Sequence, residues 1–120
     1  MEDKSSGRWG EERAARYLRL RGWRIVEKNY SSRFGEIDLI ASHRDILAFI
    51  EVKTRKNAAH GEAKEFVTAA KRQRILATAS YYLAEHETEL QPRFDVIEIY
   101  APDGADTRFP RINHLENAFE

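Results

Sequence analysis

The amino-acid sequence predicts an α/β fold in which helices flank a mixed β-sheet, with elements in the order α-β-β-β-α-β. Three observations predict it: an amphipathic stretch that stops at Gly22, three strand-like runs packed between Trp23 and Thr54, and a second helical stretch followed by the run Arg93 to Tyr100. A sheet with helices packed against it is the layer arrangement that this order favours. The long helix before the last of these strands lets its two flanking strands run parallel through a right-handed crossover.

Each element has a local cause. Ser5 and Ser6 are capping candidates, and residues from about Arg8 to Arg21 form the first helix, ended by Gly22. Its apolar stripe is Ala14, Ala15 and Leu18. Counting back by three and four places Glu11 on that stripe, whereas Glu12 lies beside Arg16 on the wet side, where an ion pair one turn apart is expected. Trp23 to Asn29 reads as the first strand, Phe34 to Ala41 as the second and Asp45 to Thr54 as the third, with Ser42-His43-Arg44 as a tight hairpin connection. The polar loop Lys56 to Lys64 leads to a long helix that starts near Glu65 or Thr68 and runs to about His86, with Val67, Ala70, Ile75, Ala79 and Leu83 in helical rhythm. Pro92 precedes the strand Arg93 to Tyr100, Pro102-Asp103-Gly104 is a turn signal, and Arg108 to Leu115 reads as an edge strand or an irregular tail.

Composition bounds the function. The 120 residues suffice for one domain, 1–120, with about 1–7 and 103–120 as its loosely ordered ends. A hydrophobic share of 42% with 33% charged residues fits a globular chain and excludes a disordered one. The polar start and the lack of any long apolar run predict a cytoplasmic protein without a membrane span. The absence of cysteine excludes disulfides, zinc-thiolate sites and cysteine nucleophiles. The net charge of +0 hides an uneven distribution: Lys4 to Phe34 holds nine basic and three acidic residues, Lys53 to Arg74 seven and two, and Glu85 to Glu120 three and nine. A basic body of this kind permits the surface patch that a phosphate backbone needs.

The anomaly lies on the second and third strands. In Gly35-Glu36-Ile37-Asp38-Leu39-Ile40 the pleat places Glu36 and Asp38 on one face and Ile37 and Leu39 on the other; in the next strand Leu47, Phe49, Glu51 and Lys53 line up together. If Asp38 lies opposite Glu51, the same register puts Glu36 opposite Lys53, and a shift of two residues keeps the faces but changes the partners. Carboxylates gathered on a strand face oppose folding unless they are paired or hold a metal ion. Hard oxygen donors without thiol or imidazole suit Mg²⁺ or Mn²⁺. Asp38 and Glu51 are the candidate ligands, and Lys53 is the group that orients water or stabilises developing charge. Arg55, Lys56 and Lys71 are candidate phosphate contacts. His43, His60, His86 and His114 have no ligand spacing and are expected at the surface, while Trp9, Trp23, Tyr30, Tyr81 and Tyr82 are expected in the core and its seams.

Asp38, followed thirteen residues later by Glu51-Val52-Lys53 and preceded by Glu11 on a helix, resembles the PD-(D/E)XK nuclease superfamily in its Holliday-junction-resolvase-like branch. More closely, Gly10-Glu11, Tyr17-Leu18, Gly22, Asn29-Tyr30, GEIDLIA at 35–41, FIEVKTR at 49–55, His60-Gly61, Lys71, Tyr82-Leu83 and RFDVI at 93–97 resemble the uncharacterised bacterial YraN family over nearly the whole chain. The resemblance implies a restriction-endonuclease-like fold, with Asp38, Glu51, Lys53 and Glu11 at catalytic positions, the three acids as Mg²⁺ or Mn²⁺ ligands, and DNA, branched, damaged or single-stranded, as substrate. It also implies a homodimer, since resolvase-like relatives often pair. Ile37 stands where the superfamily pattern has proline, and Ser31 stands where a basic residue is common, leaving Arg33 as the cation of that turn. The alternative reading is a non-catalytic nucleic-acid-binding or protein-interaction module that keeps the nuclease-like fold.

Overall fold

The computed structural model describes residues 4–56 and 67–119. Its elements are α1 (Lys4–Leu20), β1 (Arg24–Ser32), β2 (Gly35–His43), β3 (Ile46–Arg55), α2 (Ala69–Glu85), β4 (Gln91–Tyr100), a single 3-10 turn (Gly104–Asp106) and β5 (Arg111–Leu115). The α/β class and the predicted order are thus observed. The segment 57–66, with His60-Gly61, Lys64 and the alternative helix start at Glu65, lies outside the described residues.

Helix α1 begins earlier than its periodicity predicts, so Ser5 and Ser6 fall inside it rather than capping it. Its end follows the glycine signal: Gly22, at φ 88°, lets the Trp23 N–H reach back to the Leu18 carbonyl at 3.0 Å and its own N–H to that of Arg19 at 3.0 Å. Helix α2 starts at the predicted Thr68, whose hydroxyl accepts from the Lys71 N–H at 3.2 Å.

The strands form one sheet in the order β1-β2-β3-β4-β5. Neighbours are antiparallel except β3 and β4, which the crossover through α2 makes parallel. Helix α1 packs Ala14, Ala15 and Leu18 on Leu39, Ala41, Ala48, Ile50, Ile97 and Ile99. Helix α2 packs Ile75, Ala79 and Tyr82 on Ile37, Ile40, Phe49 and Val96 from the other side. Within the 108–115 stretch, Arg111–Leu115 form the edge strand β5, and Phe119 beyond it is buried against Phe94, their rings stacked at 5.4 Å.

Two expectations about pairing fail, each for a local reason. Ile37 and Leu39 do not share a face: Ile37 joins the α2 core and Leu39 the α1 core. The cause is in β1, where Asn29 takes φ 53° between the pairs Lys28↔Leu39 and Tyr30↔Ile37. That residue breaks the pleat, so Lys28 points to Glu12 of α1 while Tyr30 packs on Tyr82 of α2, and the residues opposite follow them. Glu12 accordingly pairs with Lys28 at 2.8 Å across the two elements rather than with Arg16 along the helix.

Candidate active site

The β2–β3 ladder runs from His43↔Ile46 to Leu39↔Ile50 and stops there. One more step in the same register would set Asp38 opposite Glu51. The strands part instead, and the Asp38 carboxylate takes the place of a ladder carbonyl by accepting the Val52 N–H at 2.8 Å. Asp38 and Glu51 then face a cavity of about 210 Å³ lined by Gly35, Glu36, Asp38, Glu51, Lys71, Arg74 and Ile75. Such a volume has room for several waters, each of which occupies about 30 Å³ in the liquid. The shared face of Asp38 and Glu51 is therefore observed, at the point where the sheet opens toward α2.

Electrostatics in this notch are unfavourable to two bare carboxylates. Desolvation, then the negative charge of Glu51, push the Asp38 carboxyl up to about 8, against the opposing pull of the Val52 N–H and Lys71. Glu51 is 9% exposed and forms an ion pair with Lys71 of α2. Glu11 approaches from α1: burial raises its carboxyl, a hydrogen bond with Asn29 lowers it, and Glu36 and Glu51 add repulsion. Its reach depends on Gly10, where any Cβ would collide with the Thr54 side chain of β3. The structure thus brings Glu11, Asp38 and Glu51 into one electrostatic neighbourhood, with Asn29, opposite Asp38 on β1, as the hydrogen-bond partner of Glu11.

The remaining candidates are placed variously. Lys53 is exposed on β3 two residues beyond Glu51. Lys71 lies at the cavity with its ammonium on Glu51. Arg55 is drawn inward, its guanidinium 2.6 Å from the Glu98 carboxylate with side chains 8% and 2% exposed, so this cation is engaged in a buried ion pair and is not displayed to solvent. Arg33 and Lys56 are exposed, and Arg33 lies over the Phe34 ring at 4.9 Å. Glu36 accepts from the Ser31 hydroxyl at 3.3 Å at the rim of the cavity.

Four features were not read from the sequence. Asn29 has a signal there, since asparagine disfavours strand interiors and tolerates positive φ. Arg74 lies three residues from Lys71 on α2, a spacing that places both on one face. Tyr81, expected in the core, is 44% exposed. His114, expected at the surface, is buried with its Nε2 2.7 Å from Asp95, which also takes a bidentate pair of hydrogen bonds from Arg93 at 2.9 Å and the Asn117 N–H at 2.9 Å. Arg93 and Asp95 sit two residues apart on one strand, but nothing in their spacing identifies His114 and Asn117 as the further partners of Asp95.

Oxygen donors dominate the notch, and Asp38 and Glu51 fit a hard divalent cation that binds through one or two carboxylates and keeps several waters. Among the described residues no group of three or more Asp, Glu or His side chains forms a ready-made metal cage. Among them also, no helix is long and apolar enough to cross a membrane.

Comparison with known proteins adds kinship to this geometry. A UPF0102 protein of Syntrophotalea carbinolica is 50% identical over 96 residues, covering 79% of this chain and 78% of its own. One from Clostridioides difficile is 43% identical over 120 residues, 99% of this chain and all of the relative. A third, from Caldanaerobacter subterraneus, is 42% identical over 120 residues, 99% of this chain and 98% of its own. The model of the family described as "Uncharacterised protein family UPF0102" matches residues 10–99, a span that holds Glu11, Asp38, Glu51, Lys53 and Lys71. The YraN resemblance read from the sequence refers to this same family, and the chain belongs to it: it is a UPF0102 protein.

Proposed function

We propose that this protein is a metal-dependent nuclease that hydrolyses phosphodiester bonds of DNA at the notch between β2 and β3. One observation carries the reading: two carboxylates, Asp38 and Glu51, share a half-closed cavity where the sheet ladder parts, with a lysine from α2 already serving as counter-cation. Folding alone gives no reason to keep a desolvated acid beside a second one. Mg²⁺ or Mn²⁺ at this site would supply Lewis acidity and neutralise charge on the scissile phosphate. Asp38, Glu51 and Glu11 are the oxygen donors available to it. Val52 N–H fixes the Asp38 carboxylate in position. Lys53, on the strand two residues beyond Glu51, would orient the attacking water or stabilise developing charge, and Lys71, which now neutralises Glu51, would be near enough to the notch to contact the phosphate. A second copy of the chain would give a junction-cutting enzyme its second site.

Purified protein with Mg²⁺ or Mn²⁺ is expected to nick plasmid, branched or single-stranded DNA. Asp38→Ala should lower the rate at least ~100-fold while the circular dichroism spectrum is unchanged, in line with the loss of a principal charge-stabilising group. Equal cutting by both proteins ends the hydrolytic reading. The Lys71–Glu51 ion pair, which neutralises one acid of the notch without a metal, favours a second reading, a nucleic-acid-binding module that does not cut. Metal titration followed by calorimetry separates the two, since only the first requires binding that Asp38→Ala abolishes.

A further inference from the structure

The turn between β1 and β2 is fastened to α2 at several points. Gly35 packs so closely that a Cβ there would meet Arg74 Cβ at 3.2 Å and Thr78 Oγ1 at 3.4 Å. The Ser32 hydroxyl lies 3.2 Å from the Thr78 hydroxyl and accepts the Phe34 N–H at 3.0 Å, while Thr78 donates to the Arg74 carbonyl at 2.8 Å. These ties hold Phe34 at a set place, edge-on to Tyr81 with ring centroids 6.3 Å apart. Phe34 is 37% exposed and Tyr81 44%, so two of the large apolar side chains left wet among the described residues are direct neighbours. The Arg33 guanidinium lies over the Phe34 ring, 4.9 Å from its centroid.

Position gives this patch its meaning. Lys71, Arg74, Thr78 and Tyr81 recur at intervals of three and four and so form one row along α2. The row starts on Glu51, passes Arg74 at the edge of the cavity and ends on the aromatic pair. By helical rise it spans about 15 Å, a reach of a few nucleotides. Two cations in line with a pair of exposed rings match a chain of phosphates carrying flat bases, because every base has a π-face that stacks on an aromatic ring. An intact duplex keeps those faces against its own neighbours, and an apolar protein segment has no use for the arginines.

We propose that Phe34 and Tyr81 form a stacking platform for an unpaired nucleobase, with Arg33 and Arg74 on the flanking phosphates, which leads a single strand into the Asp38–Glu51 notch. The inference rests on the nucleic-acid reading of that notch and narrows its substrate to single-stranded or frayed ends, flaps and junction arms.

The test measures binding in chelator, where cutting plays no part. Fluorescence anisotropy would compare a single-stranded DNA oligonucleotide, its abasic counterpart and the matching duplex, with wild-type protein, Tyr81→Leu and the double change Phe34→Leu with Tyr81→Leu. The exposed Tyr81→Leu variant keeps an apolar side chain on the helix surface, so its fold does not depend on the ring. Expected are a loss of about 5- to 100-fold for the base-carrying strand in the double variant, a smaller loss in the single variant, and no change for the abasic strand. A 2-aminopurine base in the strand should be quenched by wild type and brighten in the variants. Equal losses for both strands, no loss at all, or no binding of the strand by wild type each overturn the proposal. A protein that stacks the base yet never cuts keeps this inference and loses the hydrolytic one, whereas one that cuts duplex DNA with both variants as active as wild type does the reverse.

Discussion

Asp38 holds its proton far above an ordinary carboxyl, at about 8 instead of 3.8, first because it is desolvated and then because Glu51 faces it. The folded state therefore binds a proton that the unfolded chain has already lost between about pH 4 and pH 8. This stabilisation is complete below the unfolded value and is lost as the pH rises through the folded one, so the metal-free protein weakens across that window. Asp38→Asn keeps an oxygen for the Val52 N–H and removes the charge. In chelator at pH 8 it should be more stable than wild type by roughly 1–3 kcal/mol, the scale of a poorly solvated polar group, with the gap closing toward pH 4. Melting curves over pH 4–9 check this, and parallel curves for the two proteins would sink it. Added Mn²⁺ should reverse the order at pH 8, raising the wild-type midpoint and leaving the Asn variant where it was.

Strand β4 carries two acids on opposite faces, both fully buried and both matched: Asp95 by Arg93, His114 and the Asn117 N–H, Glu98 by Arg55. Burial raises the Asp95 carboxyl, but hydrogen bonds from His114 and Arg93, then the Asn117 N–H, outweigh it and hold the group below its usual range. Its stabilisation is present above the unfolded value near 3.9 and is lost as pH falls through the lower folded value. Asp95→Ala, by stranding these donors, should destabilise the protein by about 3–5 kcal/mol in urea at pH 7, and an effect below ~1 kcal/mol would show that the cluster is dispensable. The sequence made part of this element-level pattern legible. Alternation along β2 and β3 was enough to bring Asp38 and Glu51 together, and helical counting was enough to aim Glu11 at them. It failed where a single backbone angle intervened, at Asn29, and where a partner came from far along the chain. His114 and Arg55 look like surface groups until the strands that oppose them are known. Tyr81 and Tyr82 show the same limit on a helix, since adjacent residues point about 100° apart and only packing decides which of the two is inside.

At the scale of the whole molecule, the five strands share one sheet whose two long edges differ. On one side lies β1, nine residues with Arg24, Lys28 and Asn29 exposed. Such charges discourage pairing with another chain. On the other side the strand next to the edge is β4, whose Val96, Ile97 and Ile99 belong to both cores, and only the five-residue β5 covers it. Asp95 is the clasp of that cover, reaching His114 within β5 and Asn117 just beyond it. β5 is thus expected to protect: by pairing with β4 it would keep an apolar strand from recruiting strands of other molecules. A chain shortened after Thr107 should form concentration-dependent aggregates in light scattering beyond any assembly of the full-length protein. If it instead remains as dispersed as the full chain, β5 does not serve as that guard. On that expectation the stretch clasped by Asp95 would guard against aggregation, and a single Asp95→Ala change would begin to undo it without touching a single base or metal.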